Sequence, residues 1–255
     1  MNSDLPAVRY EVGDAVAWMT INRPDAHNAL NRRVRDGLFE GFERFDADGD
    51  ASVLVLTGAG DNAFCAGGDL NEMADSRLGV PPPDFLPNLG RNVELTKPTI
   101  AAVNGIAYAG GFLLAQMCDL CVAAEHARFG VTEAKVGRGA PWAVPLPWMI
   151  PPRVAMELLL TGEPISARRA HDVGLVNAVV PSAELSATAQ ALARRIAQNA
   201  PLSVLAAKRM MRALGPTDEQ HVAADGIWES VYLSQDAQEG PQAFREKRSP
   251  AWRGL

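Results

Sequence analysis

The sequence predicts an α/β fold with an at least partly parallel sheet. Three observations carry that prediction. Four β-branched apolar runs, Ser52–Thr57, Thr99–Val103, Asp119–Ala124 and Leu175–Val180, read as buried strands. Segments of helical spacing separate them, the alternation that builds parallel sheets. After Pro181 the chain turns almost wholly helical, with candidate helices at Ser182–Asn199, Pro201–Ala213, Thr217–Ser234 and Asp236–Lys247.

From the N-terminus, Val8–Val12 and Ala15–Ile21 alternate apolar and polar residues around Gly13-Asp14, which predicts a β-hairpin. The loop INRPDAHNALN ends at Asn31, a good N-cap, and Val34, Leu38, Phe42 and Phe45 then follow at helical spacing to about Ala47. Gly58-Ala-Gly60-Asp-Asn-Ala63 imitates a dinucleotide fingerprint. No amphipathic helix starts there and a Pro-rich stretch stands where the acidic strand end should be, so a tight turn is the better reading. Met73–Lys97, with Pro81-Pro82-Pro83, Pro87 and Gly90, is irregular and reads either as a flap over a pocket or as a long surface connection. Thr217-x-x-Gln220 and Asp236-x-x-Glu239 both have capping-box spacing.

Composition excludes several function classes. With 255 residues and 47% hydrophobic content the chain can bury a sizeable core. Its net charge of −6 speaks against nucleic-acid or anionic-membrane partners, though a local Arg or Lys cluster could still meet a phosphorylated ligand. Three cysteines, Cys65, Cys118 and Cys121, are too few for a disulfide framework and point to a reducing compartment. Cys118-x-x-Cys121 has no second Cys/His pair, so no metal site is expected. MNSDLPAVRYEV shows no signal peptide and no apolar run is long enough to span a membrane, so a cytoplasmic protein is expected.

Nucleophilic chemistry finds no support. No G-x-S-x-G elbow is present, and His27, His126, His171 and His221 have no evident triad partners. Two Gly-rich turns remain, Ala66-Gly67-Gly68-Asp69-Leu70 and Ala109-Gly110-Gly111-Phe112, each between a strand and a helical segment. Glycine lets a ligand approach the backbone, and free N–H groups at a helix start favour developing negative charge. Facing each other, the turns would form an oxyanion hole for a thioester enolate; the alternative is two tight turns that merely pack closely.

The stretches AFCAGGDLNEM, KPTIAAVNGIAYAGGFLLAQMCDLCVAAEHARFGVTEAKVG, TGEPISARRAHDVGLVNAVVP and DAQEGPQAFREKRSPAWRG, in that order, resemble the enoyl-CoA hydratase/isomerase (crotonase) superfamily over nearly the whole chain. The resemblance implies an α/β crotonase-like spiral of ββα units over residues 1–181. It also implies a C-terminal helical trimerisation region over 182–255 that completes the CoA site. The implied partners are an acyl-CoA thioester and other copies of the chain, as a trimer or a hexamer of two trimers. No separate cofactor is implied, coenzyme A being part of the substrate.

By the same resemblance, Gly68 and Gly110 supply the oxyanion-hole amides and Glu133, in Phe129-Gly130-Val131-Thr132-Glu133, the acid/base. Ala26, His27, Ala66, Asp69, Leu70, Lys208, Phe244 and Lys247 become candidates for holding the CoA portion, some from a neighbouring subunit; Asp69 also reads as a helix cap. The hydratases resembled carry a second glutamate where this chain has Leu113. The 3,2-enoyl-CoA isomerases have an apolar residue there and a Gly-x-x-Ala-Pro-aromatic segment, here Gly137 to Trp142. Isomerisation by Glu133 alone, in a pocket lined by Leu113 and Trp142, is therefore the leading expectation. Hydration, decarboxylation, hydrolysis or a catalytically lapsed CoA-ester-binding protein are the alternatives.

Overall fold

The computed structural model describes residues 5–255. Strands β1 (Val8–Gly13) and β2 (Val16–Ile21) form the expected hairpin, with Gly13 opposite Val16. The turn lies one residue later than the sequence suggests. Asp14 and Ala15 are its two central residues, both at positive φ, as a two-residue hairpin loop of the primed type requires. Helix α1 (Arg32–Ala47) starts where Asn31 Oδ1 accepts the Val34 N–H at 3.1 Å. Its four apolar positions Val34, Leu38, Phe42 and Phe45 are all fully buried.

A spiral follows. Each turn gives one strand to each of two sheets: β3 (Val53–Gly58) and β4 (Ala63–Cys65) before α2 (Leu70–Ser76), then β5 (Thr99–Val103) and β6 (Ile106–Tyr108) before α3 (Gly110–Met117), then β7 (Leu120–Ala124) and β8 (Arg128–Gly130). Helices α4 (Leu146–Met149) and α5 (Pro152–Thr161) lead to β9 (Ile165–Ser166), α6 (Ala167–Asp172) and β10 (Ala178–Val180). The first sheet has the order β1-β2-β3-β5-β7-β10, parallel from β2 onward. The second has the order β4-β6-β8-β9, with β4, β6 and β8 parallel and β9 antiparallel. The Gly58–Ala63 turn joins the two sheets rather than opening a nucleotide-binding helix.

The first sheet is buried on both faces, which is why its strands read as apolar runs. Leu54 and Leu56 face the main core with α1, while Val53 and Val55 face Leu185, Ala189 and Ala193 of α7 (Leu185–Ala197). β10 is shorter than the Leu175–Val180 run, because the N–H groups of Leu175 and Val176 bond back to Ala170 O and close α6.

Beyond α7 lie α8 (Pro201–Ala213), α9 (Asp218–Leu233) and α10 (Asp236–Arg245). Thr217 and Gln220 form the capping box. Asp236 and Glu239 do not. Asp236 accepts the N–H groups of Arg253 and Gly254, and Glu239 pairs with Arg248 and accepts the Ala251 N–H, so both carboxylates hold the C-terminal segment. Among the described residues no helix is long and apolar enough to cross a membrane. Cys65, Cys118 and Cys121 are buried free thiols, and burial pushes each of them up.

Candidate active site

The parallel strands β4, β6 and β8 end side by side, and the chain leaving each end lines one cavity of about 520 Å³. From β4 come Ala66, Gly68 and Leu70; from β6, Ala109, Gly110 and Leu113; from β8, Thr132 and Glu133. Open ends of parallel strands are where α/β folds gather ligands, since helix starts and free amides collect there.

The first two turns are locked together. The Ala109 N–H reaches Gly130 O at 2.9 Å, extending the β6–β8 ladder, and the Leu30 N–H reaches Gly67 O at 2.8 Å. Gly67 sits at φ +93°, and a Cβ there would come within 2.7 Å of Ala109 Cβ and 2.8 Å of Tyr108 O, so only glycine fits. Ala109 itself holds φ 50°, ψ −123°, a sparsely populated conformation for a residue with a Cβ, costing about 1–3 kcal/mol. That geometry starts α3 abruptly. Gly110 becomes its first residue, and its N–H has no carbonyl one turn earlier to bond.

Glu133 opens a short 3-10 turn (Glu133–Val136) and is 6% exposed. Its two carboxyl oxygens differ. Oε1 accepts the Trp142 Nε1–H at 3.0 Å, whereas Oε2 is buried without a hydrogen-bond partner. Burial pushes this carboxyl up to about 8, against the opposing pull of its own backbone N–H and of Trp142. A carboxyl tuned in this way exchanges protons near neutral pH. Trp142 is held in turn by Phe112 at 5.7 Å between ring centroids and by Gln116 Nε2, which donates to the Trp142 carbonyl at 3.0 Å.

The opposite wall comes from the irregular segment between α2 and β5. Val80, Pro81, Pro82, Pro83, Phe85, Leu86, Asn88, Arg91 and Asn92 all face the cavity, so this segment covers the pocket. Side chains pin it: Arg35 lies over the Phe85 ring at 4.3 Å, Arg91 pairs with Asp225 of α9 at 2.9 Å, and Arg138 donates to Leu78 O and Gly79 O.

Of the residues singled out in the sequence, Ala66, Gly68, Leu70, Gly110, Leu113, Glu133 and Trp142 meet in this cavity. Asp69 is the N-cap of α2, accepting the Asn71 and Glu72 N–H groups and pairing with Arg23 at 2.6 Å. Ala26 is half-buried and His27 exposed, on a loop tied to the first turn by the Ala66 N–H and His27 O. Lys208 stands outside the cavity lining, where its ammonium pairs with Asp119 at 2.8 Å and donates to Lys97 O. Phe244 and Lys247 are exposed at the end of α10, outside the cavity lining. Sequence reasoning missed Arg138, Tyr232, Gln116 and the Arg91–Asp225 pair. Arg138 and Arg91 stand in stretches singled out for other reasons, the Gly137–Trp142 segment and the irregular 73–97 stretch, whereas only the fold brings Tyr232 and Asp225 to the pocket and Gln116 to the Trp142 carbonyl.

Two Gly-rich turns and one buried carboxyl line a single cavity at the strand ends of a ββα spiral, the arrangement of an α/β enzyme site. Residues 11–254 match the Enoyl-CoA hydratase/isomerase family profile. The chain is 40% identical to (E)-benzylidenesuccinyl-CoA hydratase of Thauera aromatica, over 97% of this chain and 99% of that protein. It is 39% identical to carnitinyl-CoA dehydratase of Salmonella typhi, over 92% of this chain and 94% of the relative. Among solved structures, EchA1_1 of Mycobacterium paratuberculosis superposes with a TM-score of 0.86 at 40% identity, covering 99% of this chain and 100% of the other. Carnitinyl-CoA hydratase of Mycobacterium avium gives 0.84 at 38% identity, over 98% and 100%. The chain belongs to the enoyl-CoA hydratase/isomerase family and has the crotonase fold.

Proposed function

We propose that this chain catalyses the reversible elimination and addition of water across C2–C3 of an acyl-CoA thioester, with Glu133 as the one carboxylate. The observation that carries this is the asymmetry of Glu133: Oε1 is anchored by Trp142 and Oε2 is unbonded, in a cavity that Gly68 and Gly110 also line. The amides of Gly68 and Gly110 hold the thioester oxygen. The Glu133 carboxylate takes the C2 proton, and the electron pair of that C–H bond moves onto the thioester oxygen as an enolate. When the enolate collapses, the C3–O bond breaks and the departing hydroxyl takes the proton from Glu133 as water. Elimination on one face of the substrate lets a single carboxylate serve both steps. Hydration runs the same steps in reverse.

The relatives' names, hydratase and dehydratase, support this reading over the isomerisation that Leu113 and the Gly137–Trp142 segment first suggest. Their acyl groups differ from one another, so the acyl group here does not follow from them. Isomerisation is kept as a second reading on one observation. Leu113 is 3% exposed in the cavity at the position of the second hydratase carboxylate and cannot orient a water. The same Glu133 would then return the proton to C4. Incubation with a 2-enoyl-CoA and, separately, a 3-enoyl-CoA tests the proposal. Formation of 3-hydroxyacyl-CoA from the first supports it. Conjugated 2-enoyl product from the second, with no hydration of the first, overturns it in favour of isomerisation.

The proposal includes assembly. Residues 182–255 would join copies of the chain into a trimer or paired trimers and bring Phe244 and Lys247 to a neighbour's CoA. Exposed Leu202, Met210 and Met211 on α8 support that role. The cytoplasm is the compartment that fits three unpaired buried thiols.

A further inference from the structure

One charged group in the cavity has no part in the chemistry above. Arg138 lines the pocket, is 5% exposed, and follows Glu133 closely, its backbone N–H bonding Glu133 O at 3.0 Å across the left-handed Gly137. Its guanidinium donates through Nη1 to Leu78 O at 2.7 Å and through Nη2 to Gly79 O at 2.9 Å, and lies over the Tyr232 ring at 4.9 Å. These partners are neutral. Among the described residues Arg138 forms no ion pair with a carboxylate.

A guanidinium carries five N–H donors in a rigid fork, and two are used here. The other charged residues of the lining are Arg91 and Asp225, which pair with each other, and Glu133. That pair satisfies itself, and Arg138 forms no ion pair with Glu133, so its guanidinium meets no carboxylate in the pocket. Buried charge that no partner balances is costly, so its retention calls for an anion arriving with the ligand. Arg138 stands on the wall built from Gly139, Pro141, Trp142 and Tyr232, whereas the Ala26–His27 loop is tied to the first turn at Ala66. A thioester held by Gly68 and Gly110 with CoA toward that loop would send its acyl chain toward Arg138.

We propose that Arg138 is a specificity-determining residue that selects acyl-CoA thioesters whose acyl chain bears a carboxylate distant from the thioester. The fork donates its remaining N–H groups to that carboxylate, and a cationic acyl tail is rejected by the same charge. This deepens the acyl-CoA reading above and rests on it.

Calorimetric titration with adipoyl-CoA and hexanoyl-CoA, equal in chain length and differing in the terminal carboxylate, tests the inference without requiring turnover. The wild-type protein is expected to bind adipoyl-CoA at least tenfold more tightly. Arg138→Met should remove that preference by weakening adipoyl-CoA at least tenfold more than hexanoyl-CoA, and Arg138→Lys should keep part of it. Equal binding of the two thioesters by wild type overturns the inference, a result independent of how any variant folds. Equal weakening of both by Arg138→Met also overturns it, since a residue that only pins the covering segment or meets the CoA phosphates would act in that way. If neither thioester binds, the acyl-CoA reading falls and the inference with it; binding of both without preference overturns the inference alone.

Discussion

The two walls of the cavity are built differently. On one side the Ala66–Asp69 and Tyr108–Gly111 turns are fixed by ladder hydrogen bonds and by contacts that leave no room for a methyl group. On the other, residues 77–97 are held by side chains: Arg35 on Phe85, Arg91 to Asp225, Arg138 and Gln238 to the Leu78 carbonyl, Asn92 to Pro83 O and Leu86 O. The difference divides the labour. On the proposed function, the rigid backbone wall would hold the groups that stay still while charge moves, and the wall held by side chains would meet the acyl chain. Substitutions on the first should change turnover or folding; those on the second should change binding.

The largest effect is expected from Glu133→Gln, which keeps the shape and the Trp142 contact but cannot take a proton. Turnover should fall about 10²–10⁴-fold while CoA-ester binding, measured by calorimetry, stays near wild type. Near-normal turnover would remove Glu133 from the mechanism. Next comes Gly111→Ala, whose Cβ would lie 2.0 Å from the Cys65 carbonyl oxygen, a backbone atom that cannot rotate away. Overpacking of that kind costs roughly 1–3 kcal/mol or more, and a thermal melt should show a fall of several degrees. An unchanged melting temperature would mean the two turns are not locked.

The pH dependence is intermediate in size and has opposite signs for activity and stability. Glu133 must be ionised to accept the C2 proton, so kcat/KM should drop about tenfold per unit as pH falls below about 8, and level off above it. Stability runs the other way. The folded state keeps a proton that the unfolded chain, with an ordinary value of 4.5, releases. The stability linked to this group is complete below about 4.5 and is lost as pH rises through about 8. Denaturant titrations of wild type and Glu133→Gln across that window should converge at low pH. The smallest effect belongs to Asn92→Ala. Losing its two bonds to Pro83 O and Leu86 O, both 2.8 Å, should raise KM roughly three- to fivefold at unchanged kcat, because such bonds contribute about 1 kcal/mol or less.

The same divide explains what the sequence disclosed. Helix α1 was legible because Asn31 and the spacing of Val34, Leu38, Phe42 and Phe45 are local signals, and the first-sheet strands because burial on both faces makes them apolar. β4, β6 and β8, which carry the site, are three residues each, too short to show a period, and exist through their neighbours. Asp236 and Glu239 had the spacing of a capping box, yet their carboxylates serve backbone N–H groups of the C-terminal segment, about which local spacing is silent. The Gly-rich turns and Glu133 stand in contiguous motifs and could be found there. Arg138 and Tyr232 are 94 positions apart, and only the packing of α9 on the pocket wall brings them together.

The parallel β4-β6-β8 ladder has one more consequence. Neighbouring strands of any sheet repeat at about 4.8 Å, a pitch set by backbone hydrogen bonds and indifferent to side chains. Addresses and occupants are therefore separable where a side chain faces the cavity: the ladder sets the backbone positions, while glycines such as Gly67 and Gly111 are fixed by close contact. Position 113, one helical turn past Gly110 with its N–H already bonded to Ala109 O, is such an address. Leu113→Glu would place a second carboxylate in the cavity on a backbone already fixed by that bond.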